Sequence, residues 1–213
     1  MKVHVLLGAP GSGKGTAAKQ MLEAFSLTHL STGDILRDAV SKGTEVGLRA
    51  KAYMAEGRLV DDDTVNGLVL ARLQNVTGDM LFDGYPRTLS QARTLRDILS
   101  EKGMELGLVI DIDVPQSVLE ARVVGRRVCE NSACGAIYHL QTKAPKSAGV
   151  CDLCGNSLHQ RTDDSVQAFR SRMEEFNRTF QPVLEFYKGS PNYRVVDGNR
   201  SPLAVFESLQ QLF

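Results

Sequence analysis

The segment Gly8-Ala9-Pro10-Gly11-Ser12-Gly13-Lys14-Gly15-Thr16 combines glycines with a lysine in a spacing that suits one task, the enclosure of an anion. Glycines let backbone N–H groups turn inward around a phosphate, and a helix that follows adds the positive end of its dipole. Lys14 then places one mobile cation on the outer phosphates. The general phosphate-loop pattern wants Ser or Thr directly after the lysine, whereas this chain has Gly15 there and Thr16 one place later. A dinucleotide-binding turn is excluded because no third glycine follows Gly11 and Gly13 at the required spacing, and because Lys14 would be unneeded. The candidate phosphate-binding residues are therefore Gly11, Ser12, Gly13, Lys14, Gly15 and Thr16.

A second group is Cys129, Cys134, Cys151 and Cys154, arranged as Cys-x₄-Cys and Cys-x₂-Cys. Thiolates in two close pairs are the ligands of a structural Zn²⁺, tetrahedral and closed to substrate. Two disulfides are disfavoured in a reducing cytosol. A zinc-dependent nucleic-acid module would look similar in isolation, but Lys plus Arg equals Asp plus Glu at 25 each, so no global field draws the chain to a polyanion or an anionic membrane.

The elements that must position these groups follow from hydrophobic patterning. Val3 to Leu7 is a short apolar run ending at glycine, as a buried parallel strand does, and Thr16 to Phe25 has helical spacing. Met80 to Asp83 and Leu106 to Val114 read as strands, each followed by a helix-like segment at about Leu89 to Ser100 and Pro115 to Val124. Gln167 to Tyr187 is a long helical pattern, Tyr193 to Val196 a last strand, and Pro202 to Phe213 a closing helix. This alternation predicts an α/β fold with a doubly wound parallel sheet. Residues 31–60 hold two helix-like segments split by Lys42-Gly43 and read as a helical insert; residues 125–164 hold all the cysteines among Gly, Pro, Ser and Asn and read as a small lobe. Residues 1–30, 61–124 and 165–213 then make up the core. Hydrophobic residues at 42% and charged residues at 23% fit an ordinary globular protein. The amino terminus lacks the apolar run of a signal peptide, so the expected location is the cytosol.

The form Gly-x-Pro-Gly-x-Gly-Lys-Gly-Thr resembles the phosphate loop of adenylate kinases and related nucleoside monophosphate kinases. Thr32-Gly33-Asp34 with Arg37 resembles the start of that family's AMP-binding insert, and Asp83-Gly84-Tyr85-Pro86-Arg87 its Asp-Gly-(Phe/Tyr)-Pro-Arg signature. Gly125-Arg126-Arg127 and Arg161-Thr162-Asp163-Asp164 resemble the borders of its mobile lid. The matches fall in order and cover nearly the whole chain.

The resemblance implies a P-loop core, an AMP insert and a zinc-bearing lid, with ATP, AMP and ADP as partners and Mg²⁺ accompanying ATP. It assigns Arg37 and Arg87 to the AMP phosphate, and Arg122, Arg126, Arg161 and Arg172 to the transferring group, with Arg161 and Arg172 reaching AMP as well. Arginine suits the task because its planar fork grips phosphate oxygens in pairs. If the helix from Pro115 continues far enough, Arg122 and Arg126 share a face. Lys14, Arg87, Arg126, Arg161 and Arg172 are the implied catalytic set. Thr32, the backbone of Arg58, Leu59 and Val60, residues Gly84, Tyr85, Pro86 and Arg87, and Gln91 match the AMP pocket, Gln91 offering an amide to adenine's edge. Ile137, Tyr138 and Arg200 match positions that pack around the ATP adenine. Asp83 would reach Mg²⁺ through water. Asp163 and Asp164 either steer lid arginines or cap the long helix. Lids of this family often carry a shorter first cysteine pair, which leaves His139 as an alternative ligand to Cys134. The implied enzyme is a monomer that makes two ADP from ATP and AMP. Another nucleoside monophosphate kinase is the near alternative; a P-loop switch would leave the arginines without a purpose.

Overall fold

The computed structural model describes residues 1–74 and 76–213. Its elements in chain order begin with β1 (Lys2–Leu7), α1 (Lys14–Ala24), β2 (Thr28–Ser31), α2 (Thr32–Ser41), α3 (Glu45–Ala55), α4 (Asp62–Leu73), β3 (Met80–Asp83) and α5 (Leu89–Glu101). There follow β4 (Glu105–Asp113), α6 (Gln116–Val124), β5 (Arg126–Cys129), β6 (Ile137–His139), β7 (Leu158–His159), α7 (Val166–Lys188), β8 (Tyr193–Asp197) and α8 (Pro202–Gln210).

The main sheet is parallel throughout, in the order β2-β3-β1-β4-β8. Its strands are short and rich in Val, Leu and Ile because both faces are covered. Alternate residues go to opposite cores: Val5, Phe82 and Val109 pack with Leu95, Leu99, Val183 and Tyr187 on the side of α5 and α7. Leu6, Leu81 and Ile110 pack with Ala17, Met21, Val205 and Leu209 on the side of α1 and α8. A third cluster joins Ala9 of the phosphate loop to Leu119 and Val123 of α6 and Phe169 and Met173 of α7, so the loop rests on a packed floor.

Because β1 has β3 on one side and β4 on the other, the strand order reverses there. The crevice beyond the carboxyl ends of β1 and β3 is the topological switch point where such sheets receive ligands. The α/β reading and the doubly wound sheet agree with the expectation.

Three details differ from it. Thr28–Ser31 is an edge strand, paired in register with Met80–Asp83, that was not expected, and Asp62–Leu73 is a helix capped by Asp61. The helix carrying Arg122 ends at Val124, with Gly125 as its cap, and Arg126 already belongs to β5; the two arginines therefore do not share a helical face. Segment 31–60 forms the helices α2 and α3, and within 125–164 a three-stranded antiparallel sheet, β6-β5-β7, is folded around the cysteines.

Candidate functional site

Helix α1 starts without a capping side chain, since its cap residue is Gly13 in the left-handed conformation. Helices α2, α5 and α7, by contrast, are capped by Ser31, Thr88 and Ser165. The amides of Thr16 and Ala17 turn back to the Gly13 carbonyl, and those of Lys14 and Gly15 are left for an external acceptor. Two glycines of the loop are sterically required. A Cβ on Gly8 (φ 138°) would lie 2.6 Å from the Ile112 carbonyl oxygen, and one on Gly11 (φ 87°) would lie 2.9 Å from that of Leu119. The Lys14 ammonium donates to the carbonyls of Gly8 (2.7 Å) and Ala9 (2.9 Å). Burial pulls its pKa down to about 8; Asp83 resists, and Arg87 and Arg172 add to the fall. Ser12 is buried with its hydroxyl unpartnered in the floor of the loop. Asp83 ends β3 beside this loop: a Cβ placed on Gly15 would be 3.9 Å from its carboxylate oxygen.

A recess of about 600 Å³, its open mouth included, is walled in part by Arg87 and Arg172, whose charges reach Lys14 of the loop. Thr32, Arg37, Arg58, Leu59, Val60, Gly84, Arg87, Gln91 and Arg172 line it, together with Leu36, Met54, Val65 and Asp163. Its wall is pre-built by hydrogen bonds. Thr32 Oγ1 donates to the Gly84 carbonyl (2.9 Å), as does Arg87 Nε (2.7 Å). Gln91 lies inside the protein, not on an exposed helix face: its Oε1 accepts from the Arg87 amide (2.8 Å) and its Nε2 donates to Asp62 (2.8 Å). Each end of the amide keeps one further hydrogen-bonding position. Tyr85 and Pro86 are not among the lining residues. The Tyr85 ring is fully buried with its hydroxyl on Asn66 (2.7 Å), so it supports the wall from behind. Asp62 and Asn66 were invisible as site residues because their partners lie far along the chain.

Between loop and recess the arginines are held by carboxylates. Arg126 grips Asp164 with both arms of its fork, Nε to Oδ2 at 2.8 Å and Nη2 to Oδ1, and the Asp164 side chain is wholly buried. Burial alone would lower the Arg126 pKa, but the Asp164 hydrogen bonds and charge leave it raised. Arg172 donates to the Asp163 carboxylate (2.9 Å) and lies 3.7 Å from Asp164. The N-cap of α7 is Ser165, so neither aspartate caps the helix. Arg37 and Arg161 share Asp34, the latter at 3.8 Å. Arg161 is pulled to about 10 by burial and by the cations of Arg37 and Arg126. Lys14, Arg37, Arg87, Arg126, Arg161 and Arg172 thus converge, and the carboxylates of Asp34, Asp83, Asp163 and Asp164 offset them only in part.

Other expected residues lie apart from this cluster. Arg122 donates to the Gly198 carbonyl (3.0 Å), tying α6 to the loop that carries Arg200, whose guanidinium contacts Ser208 (3.2 Å). Ile137 faces Gly15, where a Cβ would lie 3.9 Å from it, but Tyr138 turns into the small lobe: it is buried, accepts from the Asp152 amide (2.8 Å) and places its hydroxyl 3.6 Å from Cys151 Sγ. Arg127, Arg170 and Arg178, inseparable from the chosen set by charge, face Arg126 O, Glu120 and Glu175 respectively.

The ligand atoms of Cys129, Cys134, Cys151 and Cys154 all lie within 4.8 Å of one another, with Cys129 to Cys154 at 3.4 Å and Cys134 to Cys151 at 3.8 Å. Zinc–sulfur bonds of about 2.3 Å in a tetrahedron require sulfur–sulfur edges of about 3.8 Å, so the donor set fits. His139 is turned elsewhere, with Nε2 at 3.0 Å from the Ala121 carbonyl and Nδ1 accepting from the amides of Gln141 and Thr142.

Comparison with known proteins places this geometry. The family model for adenylate kinase matches residues 6–191. Among curated relatives, the adenylate kinase of Geobacillus sp. (strain WCH70) is 42% identical over 210 residues, covering 98% of this chain and 96% of its own. That of Clostridium tetani is 41% identical over 210 residues, with the same coverage. That of Caldicellulosiruptor bescii is 44% identical over 186 residues, 86% of each chain.

Proposed function

The chain belongs to the adenylate kinase family and is a phosphotransferase, and on that footing we propose that it catalyses the reversible conversion of Mg·ATP and AMP to two ADP. The observation that carries the reading is the recess lined by Thr32, Arg37, Arg87 and Gln91 sharing Arg172 with the cation cluster beside the phosphate loop.

In this reading ATP places its phosphates in the Gly8–Thr16 loop, with Lys14 leaving the Gly8 and Ala9 carbonyls for the outer phosphates. AMP fills the recess, its phosphate held by Arg37 and Arg87 and its base edge met by the free positions of Gln91. Arg126, Arg161 and Arg172 stabilise charge on the equatorial oxygens of the transferring group. The acceptor oxygen of AMP is ionised at neutral pH, so no general base is required. Mg²⁺ bound with ATP would neutralise phosphate charge, and Asp83 would hold it through water. Residues 125–164 act as a lid and 31–60 as the AMP insert on a core of 1–30, 61–124 and 165–213; closure excludes water and protects ATP from hydrolysis. The four cysteines hold one structural Zn²⁺, which folds a lobe too small for a core of its own. We place the enzyme in the cytosol as a monomer; among the described residues no helix is long and apolar enough to cross a membrane.

The test is an ADP-forming assay with Mg·ATP and a panel of AMP, UMP, CMP and GMP. AMP is expected to give the highest kcat/KM. No ADP from AMP would defeat the reading, and a preference for another monophosphate would move the chain to a sister specificity.

A further inference from the structure

Beyond the arginines, one lysine joins the small lobe to the core. Lys19 lies on α1 one turn after Gly15, and residues four apart on a helix share a face. The lobe reaches over that face: a Cβ placed on Gly15 would lie 3.9 Å from Ile137 of β6, and Lys19 Nζ donates to the carbonyl oxygen of Cys134 at 2.9 Å. Among the described residues Lys19 has no carboxylate within ion-pair distance, and the Cys134 carbonyl has no other protein donor. The remaining ties between the lobe and the rest of the molecule are of other kinds. His139 to Ala121, and Arg127 and Gln160 to Val124, lie at the hinge after α6, while Arg161 to Asp34 and Arg172 to Asp163 and Asp164 involve cations assigned to phosphate.

We propose that Lys19 is a positioning residue, a latch that holds the lid closed over bound ATP through the metal knuckle. This rests on the phosphotransfer reading and adds to it a role for the knuckle. Four thiolates around one metal fix the backbone of the Cys129–Cys134 turn. The Cys134 carbonyl is thereby presented at a set height above α1, the helix that begins at the phosphate loop. Closure then gains a charge-assisted hydrogen bond that needs no nucleotide. A ligand that binds the closed state has its apparent affinity multiplied by the closed fraction, so the latch tightens ATP. AMP, whose phosphate is held mainly by Arg37 and Arg87 outside the lid, reports it only weakly through Arg161.

The test compares wild type, Lys19→Met and Lys19→Arg, all as metal-loaded full-length protein. Calorimetry would measure binding of Mg²⁺ with the β,γ-imido analogue of ATP, and of AMP; steady-state rates would give kcat and KM. Lys19→Met is expected to weaken the ATP analogue and raise KM for ATP about three- to tenfold, the range for one hydrogen bond of ordinary net strength, as suits a half-exposed ammonium. AMP affinity and kcat should stay within about twofold, and Lys19→Arg, which keeps a donor, should recover most of the ATP affinity. Equal ATP binding by wild type and Lys19→Met would overturn the latch, as would a matching loss for AMP. If wild type forms ADP and the latch variants behave alike, the latch fails while the phosphotransfer reading stands; if wild type forms no ADP, the phosphotransfer reading fails first.

Discussion

Lys14 is the residue at which binding chemistry and stability oppose each other most directly, and substitution to Met exposes the opposition. Its pKa, ordinarily 10.5, falls to about 8 because burial strips water from the ammonium, with Arg87 and Arg172 adding to the fall against the pull of Asp83. Between pH 8 and 10.5 the unfolded chain therefore binds more protons at this residue than the folded one. Folding stability then rises with pH through that window. At about 1.36 kcal/mol per pH unit, the change from pH 7 to pH 10 is about 2.5 kcal/mol from this group alone. Buried tyrosines act with the opposite sign, since Tyr85, Tyr187 and Tyr193 are raised by burial and lose stability only above about pH 10. The difference between wild type and Lys14→Met cancels those groups and the thiols. The hydrogen bonds to Gly8 and Ala9, lost in the variant, remain in that difference as a fixed offset that drops out of its change with pH. Urea unfolding of nucleotide-free protein at pH 7, 8.5 and 10 should show wild type gaining about 2.5 kcal/mol on the variant across the series. A difference that is flat within about 0.5 kcal/mol would show that the ammonium is not held against its solvation, and the reasoning would be refuted. The same logic says that kcat/KM for ATP declines above about pH 8 as free-enzyme Lys14 loses its proton, and that ATP binding takes up a proton there.

Asp164→Asn removes the charge that holds Arg126 while keeping the shape. With Asp164 wholly buried, stability should fall by about 3–5 kcal/mol, read as a lower urea midpoint, whereas the exposed Asp97→Asn should shift it little. Elemental analysis of fresh protein should find about one zinc per chain, and Cys151→Ser should lose it and lower the melting temperature; four freely titrating thiols without metal would refute the site.

The sheet was legible where strands are buried on both faces, because Val3–Leu7 is apolar but for His4, and Leu106–Val114 keeps apolar residues at six of nine positions, its carboxylates confined to Asp111 and Asp113 near its end. It was not legible at Thr28–Ser31. That edge strand alternates polar residues with a single fully buried Leu30, and its identity comes from pairing with Met80–Asp83, a contact no local window contains. Helix α4 carried a signal that went unread: Asp61 is a cap, and Val65, Val69 and Leu73 recur at a spacing of four on its buried face. Gly125 marked the end of α6, and with it the separation of Arg122 from Arg126, but a glycine between basic residues reads equally well as tolerated helix.

The site was legible in its cations, and in their counter-charges only as the choice between steering arginines and capping a helix at Asp163 and Asp164, for a physical reason. Phosphate chemistry requires arginines at fixed motif positions, whereas the carboxylates answer a need that arises only after folding, when Arg126, Arg161 and Arg172 are brought together out of water. Asp34, on α2, reaches Arg161 from a position far away in the chain, and Asp164 reaches Arg126 from the other border of the small lobe. Such pairing leaves the arginines charged and oriented before phosphate arrives. The carboxylates do not match the cations in number, and under the proposed function that surplus is what the nucleotides would meet. Asp163 is kept ionised by Arg172 and its cationic neighbours despite burial, so the balance holds across the neutral range. The aspartates therefore set how much positive charge the phosphates meet.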